Sequence, residues 1–515
     1  PWVWLLLGFG LLFLLLDSTV VRIMCVAIPL AVLFVSAPAV WSPYYRISLT
    51  TPPPLSEDAP PPVTYLSVNY DYHQKMLDLS RTFLEKYPTY EPNRSAALTY
   101  NLPFLAHPNP QNVLIVGAGT GNDVAAALRA GSDHIDAVEI DPAIYRLGKE
   151  RHPERPYDDP RVQVHLTDAR AFLKQTKNRY DTIVFAYLDS HTLVAQGSLL
   201  RLDDYVYTVE SLMEAKNLLV PGGTLVLSFG GGDTFLSARL FATLETVFGN
   251  PPAAFLTNYD GMGVVFVAGS LTDSAVLRDI PHIEPALAQK AVNLPLATDN
   301  WPFFYMKRPT VSFVYLLPFL YLLPFFLPFL TKIRLVRSGR MPIFFLLGAG
   351  FLLLETRAVI KLSLLFGSTW IVTAIATVFF LSMALGANLI ALKIPLKKLF
   401  IWGGLFATLL GSVLVPTPWL NNLPFITKLV LAGIVLSLPV FFSGLVFSMM
   451  LKNEESAGPA LGINLVGAFV GGIAETFVTL GGVSLLDVLA IAFYALAFAP
   501  FLFTRLTSRT PATAG

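Results

Sequence analysis

One cysteine, Cys25, is all that the 515 residues carry, and it lies inside an apolar run. That excludes a disulfide framework and a cysteine-based metal site, and no metal centre is expected. Charge is scarce as well: 14% of residues are charged and 54% hydrophobic, far more apolar than a soluble chain of this size. The net charge of +1 points neither towards nor away from nucleic acid, and no nucleic-acid partner is expected. The sequence opens at Pro1 without a methionine, and the run Trp2–Leu16 has neither the basic start nor the small-residue cleavage site of a signal peptide. It is read as continuing upstream.

The apolar excess is uneven. Residues 1–40 and 311–505 are dominated by long apolar runs, whereas 41–310 has the mixture of a globular domain. Segments at 2–16 and 23–40, then near 311–331, 342–366, 370–392, 399–416, 425–450, 459–480 and 484–504, approach the ~20 residues that a membrane span needs. This predicts an integral membrane protein with the lipid bilayer as partner. Small residues in Gly467-Ala468-Phe469-Val470-Gly471-Gly472 predict close helix packing. Glu355, Arg357 and Lys361 share one apolar segment, and Glu475 in another is the expected partner of Arg357 or Lys361.

In the globular part, Asn112-Val113-Leu114-Ile115-Val116 reads as a strand buried on both faces, since apolar residues run unbroken between a polar start and a glycine turn. Gly117-Ala118-Gly119-Thr120-Gly121 follows, then a helix from Asn122. Glycines here let the backbone turn sharply and approach a ligand, and the helix start offers free N–H groups. The spacing is G-x-G-x-G, one place shorter than the dinucleotide fingerprint, which favours an S-adenosyl-type ligand. Val138-Glu139-Ile140-Asp141 is a second buried strand, and Glu139 lies near the ~20-residue distance of a ribose-binding carboxylate. A tight turn and a solvated glutamate are the plain alternative.

From 112 to about 270, strands at 113–116, 135–140, 162–166, 181–188, 224–229, 254–257 and 263–268 alternate with helices, including one over 205–219. That predicts a mainly parallel sheet with helices on both faces, preceded by a β-hairpin within 41–74. Ligands of such sheets sit beyond the C-terminal strand ends, where the glycine loop, Glu139, Asp168 and Asp189 fall. Asp168 also suits the N-cap of a helix starting at Ala169.

Ser42-Pro43-Tyr44 with Gln74, Ala106-His107-Pro108-Asn109-Pro110, the glycine loop, Val138-Glu139-Ile140-Asp141, Asp159-Pro160-Arg161-Val162, Thr167-Asp168-Ala169 and Pro221-Gly222-Gly223 come in a familiar order. In these motifs the chain resembles the spermidine synthase-like (polyamine aminopropyltransferase-like) proteins, in their membrane-embedded bacterial form. Leu352-Leu353-Leu354-Glu355 and Asn464-Leu465-Val466-Gly467 resemble the membrane portion of fused members. The resemblance implies an α/β Rossmann-like S-adenosylmethionine-dependent-transferase fold, flanked by an all-α transmembrane bundle in the bacterial inner membrane. The domains would be spans over 1–40, hairpin and linker over 41–111, the Rossmann-like domain over 112–310, about seven segments over 311–505 and a tail over 506–515.

By the same resemblance Glu139 would hold the ribose hydroxyls, Asp168 and Ala169 the adenine edge, and Gln74 the far side of the nucleoside. Gly117, Gly119 and Gly121 would complete a site for S-adenosylmethionine or its decarboxylated form. In the family a glycine-loop aspartate holds the donor's amine, and an Asp-x-x-Asp loop after the fourth strand takes the acceptor's proton. Here Thr120 stands in the first place, and Asp189 is paired with Ala186 or Thr192, so one loop acid is absent. Asp189 and His191 are the candidate catalytic residues, His191 as a base near neutral pH.

Two readings result: a membrane-anchored alkyl or aminopropyl transferase, or a non-catalytic module serving as a docking subunit of a membrane complex or oligomer. Basic residues gather in alternate loops (Lys332, Arg334, Arg337 and Arg340; Lys393, Lys397 and Lys398; Arg505 and Arg509), and the positive-inside rule makes those loops cytoplasmic. The side occupied by residues 41–310 then turns on whether 311–331, with Pro318, Pro324 and Pro328, spans once or folds back.

Overall fold

The computed structural model describes the chain except residues 1–8, 11–12, 15–17, 37–38, 55, 57–58, 89, 189–203, 233, 258, 260–262, 273–274, 312, 314, 318, 325–339, 368, 395–396, 415–419, 421–422 and 508–515. The segment expected over 23–40 is a helix over Thr19–Ser36, and most of 2–16 lies outside the described residues. Next comes an antiparallel sheet of four strands, β1 (Val40–Trp41), β2 (Arg46–Thr50), β3 (Thr64–Val68) and β4 (Asp71–Met76), where a hairpin was expected. The Ser42 hydroxyl turns β1 into β2 by accepting from the N–H groups of Tyr44 (3.0 Å) and Tyr45 (2.8 Å). Asn69 and Tyr70, at φ 52° and 74°, form the two-residue β3–β4 turn that right-handed strand twist favours.

The second sheet has seven strands: β5 (Asn112–Val116), β6 (His134–Glu139), β7 (Val162–Leu166), β8 (Tyr180–Phe185), β9 (Leu219–Phe229), β10 (Ala253–Thr257) and β11 (Gly263–Gly269). Their order is β10-β11-β9-β8-β5-β6-β7; β5 to β9 pair in parallel, and β10 and β11 antiparallel. This is a Rossmann-like α/β fold. The chain runs outward from β5 to β6 and β7, then crosses back to β8, so a crevice opens at the C-terminal end of β5. Val113 to Val116 are wholly buried there, as a central parallel strand requires.

The helix expected over 205–219 is shorter, Val209–Asn217. Thr208 caps it, its Oγ1 accepting from Ser211 N–H at 3.3 Å, while Arg170 holds Tyr205 O and Thr208 Oγ1 at 3.0 and 2.8 Å. Those bonds fix residues 204–208 as turns. Strand β9 starts at Leu219, earlier than the expected 224.

Among the described residues five helices, Met341–Phe366, Ala374–Lys393, Phe425–Leu451, Ala457–Gly481 and Ser484–Phe501, are long and apolar enough to cross a membrane. Lys398–Leu414 is a shorter apolar helix, and residues 325–331 of the first expected segment lie outside the described residues. Gly467 lies against Phe345 O, where a side chain would collide with backbone, so the close packing expected of its small residues occurs. The expected pairing of Glu475 does not. Arg357 and Lys361 both meet Asp487, Lys361 at 3.6 Å, whereas Glu475 accepts from Thr356 Oγ1 at 3.0 Å. Asp487 lies one turn into the helix from Ser484, which packs on Met341–Phe366.

The globular part rests on one end of these helices. Lys174 Nζ donates to Leu364 O at 2.5 Å, Trp301 Nε1 to Thr479 O at 2.8 Å, Val483 N–H to Asn300 O at 2.7 Å and Ser484 N–H to Asn300 Oδ1 at 2.9 Å. Gly367, which lies against Asp168, and residues 481–483 therefore face the domain. At the far end, Arg340 donates to Asn453 O at 2.9 Å and pairs with Glu454 at 3.2 Å.

Candidate functional site

A cavity opens at the crevice beside β5, lined by the glycine loop and by residues of β4, β6 and the segments after β7 and β8. Gly117, Gly119 and Gly121 all have positive φ, at 79°, 56° and 112°. At Gly119 a Cβ would stand 2.8 Å from Gln74 Oε1, so the loop closes on β4 only because that position is bare. Gln74 Oε1 accepts from Thr120 N–H at 3.0 Å and from Thr120 Oγ1 at 2.8 Å. Asn122, next in the helix Asn122–Arg129, cross-links the same elements: its Nδ2 donates to Lys75 O at 2.7 Å and to Tyr100 Oη at 3.1 Å. The N-terminal sheet is thus locked onto the loop that it helps to wall.

Glu139 ends β6 and is 7% exposed. One carboxylate oxygen accepts from Gly119 N–H and the other from Asp141 N–H, both at 2.8 Å. Burial pushes its pKa up to about 7, while the N–H groups of Asp141 and Gly119 pull the other way. Asp168 and Ala169 line the same side of the cavity. Asp168 caps the helix Ala169–Gln175, its Oδ1 accepting from Ala171 N–H at 3.0 Å. Burial, then the charges of Asp168, Asp141 and Glu139, hold the Tyr44 hydroxyl well above its usual pKa.

Arg170, 2% exposed, fixes this end of the site from behind. Its guanidinium meets Glu214 at 2.7 Å and Asp299 at 2.9 Å, and Asp299 is joined through Asn300 and Trp301 to the helical bundle.

The other end of the cavity is aromatic. Tyr72, Tyr100, Tyr187 and Tyr259 line it with His73; the rings of Tyr100 and Tyr187 lie 5.5 and 6.0 Å from that of Tyr259. The Lys75 ammonium sits 4.8 Å from the Tyr259 ring centre. Asp123, in the first turn of Asn122–Arg129, also lines the cavity. No Lys or Arg is among the described lining residues.

The structure thus brings Gln74, Gly117, Gly119, Glu139, Asp168 and Ala169 to one cavity, with Gly121 at the close of the loop. Asp189 and His191 lie outside the described residues. Asp123 and Tyr157, whose hydroxyl braces the loop by donating to Ala118 O (3.2 Å) and Gly119 O (2.7 Å), were not expected. The position of Asp123, two residues after Gly121 in the first turn of the helix, was a usable signal. Tyr157 had none, being brought in by the turn that starts at Arg155 with φ 47°.

A sequence profile for the spermine/spermidine synthase domain matches residues 96–247. The chain carries a spermidine synthase-like domain. It is 31% identical over 189 residues to the polyamine aminopropyltransferase of Sulfolobus acidocaldarius, covering 34% of this chain and 60% of that one. To the enzyme of that name from Nitrosomonas europaea it is 29% identical over 183 residues, covering 34% and 53%. The chain thus spans little more than half the length of these curated relatives. The crystal structure of spermidine synthase from Thermotoga maritima is 15% identical, with a TM-score of 0.35, covering 51% of this chain and 80% of that one.

Proposed function

We propose that the protein is a membrane-anchored transferase that binds an S-adenosyl-type nucleoside in this cavity and transfers an alkyl or aminopropyl group from it to an acceptor. The carrying observation is Glu139, which closes on the glycine loop through Gly119 N–H while still lining the cavity with Asp168, Ala169 and Gln74. A carboxylate so placed accepts two vicinal hydroxyls, and Asp168 an exocyclic amine. A cavity with acids and, among its described lining residues, no Lys or Arg favours a donor with a cationic arm, and so the decarboxylated form over S-adenosylmethionine.

The reaction is a displacement. The acceptor's lone pair forms a bond to the carbon beside the sulfonium, the carbon–sulfur bond breaks, and its electron pair returns to sulfur to leave a neutral thioether nucleoside. The acceptor's proton passes to a base, for which Asp189 and His191 are the candidates. Titration calorimetry with methylthioadenosine, S-adenosylmethionine and decarboxylated S-adenosylmethionine tests the reading. Binding of all three is expected, weakest for the carboxylate-bearing donor, and no binding of any overturns it.

One observation favours a second reading. The sequence at 367–369 and 481–483, of which Gly367 and residues 481–483 face the domain, contains no Lys or Arg, whereas Arg340, Lys393, Lys397, Lys398 and Lys452 lie in or flank the loops at the opposite helix ends. Under the positive-inside rule this supports a reading in which the domain lies on the extracytoplasmic side, as a non-catalytic docking module of a membrane assembly. A cysteine placed on the exposed turn at Tyr70, with Cys25→Ala, is the test in intact cells. Labelling by an impermeant maleimide supports the docking module, and protection supports the transferase.

A further inference from the structure

Resting on the transferase reading, the geometry points to Asp123 as the carboxylate that holds the cationic arm of the donor. Three acids line the cavity, and two are engaged: Glu139 by Gly119 N–H and Asp141 N–H at 2.8 Å, and Asp168 by Ala171 N–H at 3.0 Å. Asp123 is half-buried and is one of the residues that line the cavity, and among the described residues no other side chain is hydrogen-bonded to its carboxylate. Its hydrogen bond is to its own backbone N–H, and the cationic charge it feels is that of Arg129, two turns along the helix.

Its place along the loop fits the role. Glu139 meets the loop at Gly119, Gln74 meets it at Thr120, and Asp123 follows one helical turn on, beside Asn122 and the tyrosines at the aromatic end. A nucleoside held by Glu139 and Asp168 points its 5′ substituent past the loop towards that end. In an S-adenosyl donor this substituent carries the sulfonium and an aminoalkyl arm. Burial of an unpaired carboxylate costs free energy that an ammonium partner recovers. Burial pushes the Asp123 carboxyl up to about 7, and a bound ammonium lowers it again. Thr120 does not compete for the arm, since its hydroxyl is spent on Gln74 at 2.8 Å.

The test compares two ligands that differ in the arm: decarboxylated S-adenosylmethionine, and methylthioadenosine, which keeps the nucleoside and lacks the amine. In the full-length wild type both bind. In Asp123→Asn the affinity for the amine-bearing ligand falls tenfold or more while methylthioadenosine binds unchanged, which also shows the site folded; Asp123→Glu recovers part of the loss. Equal affinity changes for both ligands, or no change for either, overturn the assignment of Asp123. Absence of methylthioadenosine binding to the wild type overturns the nucleoside reading itself, and the assignment with it.

Discussion

Asp168, which caps a helix and walls the cavity, lies against Gly367, the first residue beyond the apolar helix Met341–Phe366; a Cβ on Gly367 would stand 2.7 Å from Asp168 Cγ. Gly367 has φ 92° and ψ 157°, a conformation essentially confined to glycine. The nucleoside wall and the helical bundle therefore share one contact that tolerates no side chain.

The first prediction follows from that contact. Gly367→Val adds ~1–3 kcal/mol of backbone strain and displaces Asp168, so nucleoside affinity falls while the globular domain stays folded. Calorimetry with methylthioadenosine beside circular dichroism checks this, and unchanged affinity contradicts it.

Glu139 supplies the second. Glu139→Ala removes hydrogen bonds to a charged group and weakens nucleoside binding by ~1.5–3 kcal/mol. Its carboxyl is raised to about 7 in the unliganded protein, and ribose hydroxyls donate to the ionised form. The sign follows: below that value a proton must leave on binding, so affinity rises from pH 6 to pH 8 and levels off above. Stability runs the other way, since a raised carboxyl favours the folded state at low pH and loses that contribution as pH passes 7. A flat affinity profile in the wild type contradicts the ribose role.

The parts that were legible in the sequence were those with local causes. The run Asn112–Val116 into three glycines fixed the central strand and its loop, and Glu139 was found by its distance along the chain. The parts that were not legible depend on long-range contacts. The Asn69–Tyr70 turn is written with a tyrosine at positive φ, which local propensity disfavours. Thr208 caps its helix late because Arg170, far away in sequence, binds the residues before it. Asp487 carried no local signal, and only packing sets it beside Arg357 and Lys361.

That ion group gives the third prediction. Arg357 is 1% exposed, and Asp487 is the acid that meets it and Lys361. Asp487→Asn leaves two cations without their partner among apolar helices and costs ~3–5 kcal/mol, whereas Glu475→Gln, which loses only the bond from Thr356, costs ~1 kcal/mol. Thermal unfolding in detergent ranks the two variants, and a reversed order rejects the pairing.

The last prediction concerns the acceptor. Putrescine is a dication, so an enzyme that uses it must hold one ammonium and deprotonate the other, a step in which a positioned base contributes ~10²–10⁴ in rate. In this chain the glycine loop offers Thr120, whose hydroxyl is bound to Gln74, and the segment after β8 retains Asp189 without a second acid three residues away. The far end of the cavity is walled by Tyr72, Tyr187 and Tyr259, with Asp123 as its one described acid, and the Lys75 ammonium already lies over the Tyr259 ring at 4.8 Å, so that ring is taken and a second ammonium has no carboxylate of its own. The donor end keeps its acids; the acceptor end does not suit a diamine. The purified protein is therefore expected to bind the nucleoside yet form spermidine from putrescine slowly or not at all, as read by product assay at saturating donor. Rapid, saturable spermidine formation that disappears in Asp189→Ala would refute this and establish an ordinary aminopropyltransferase.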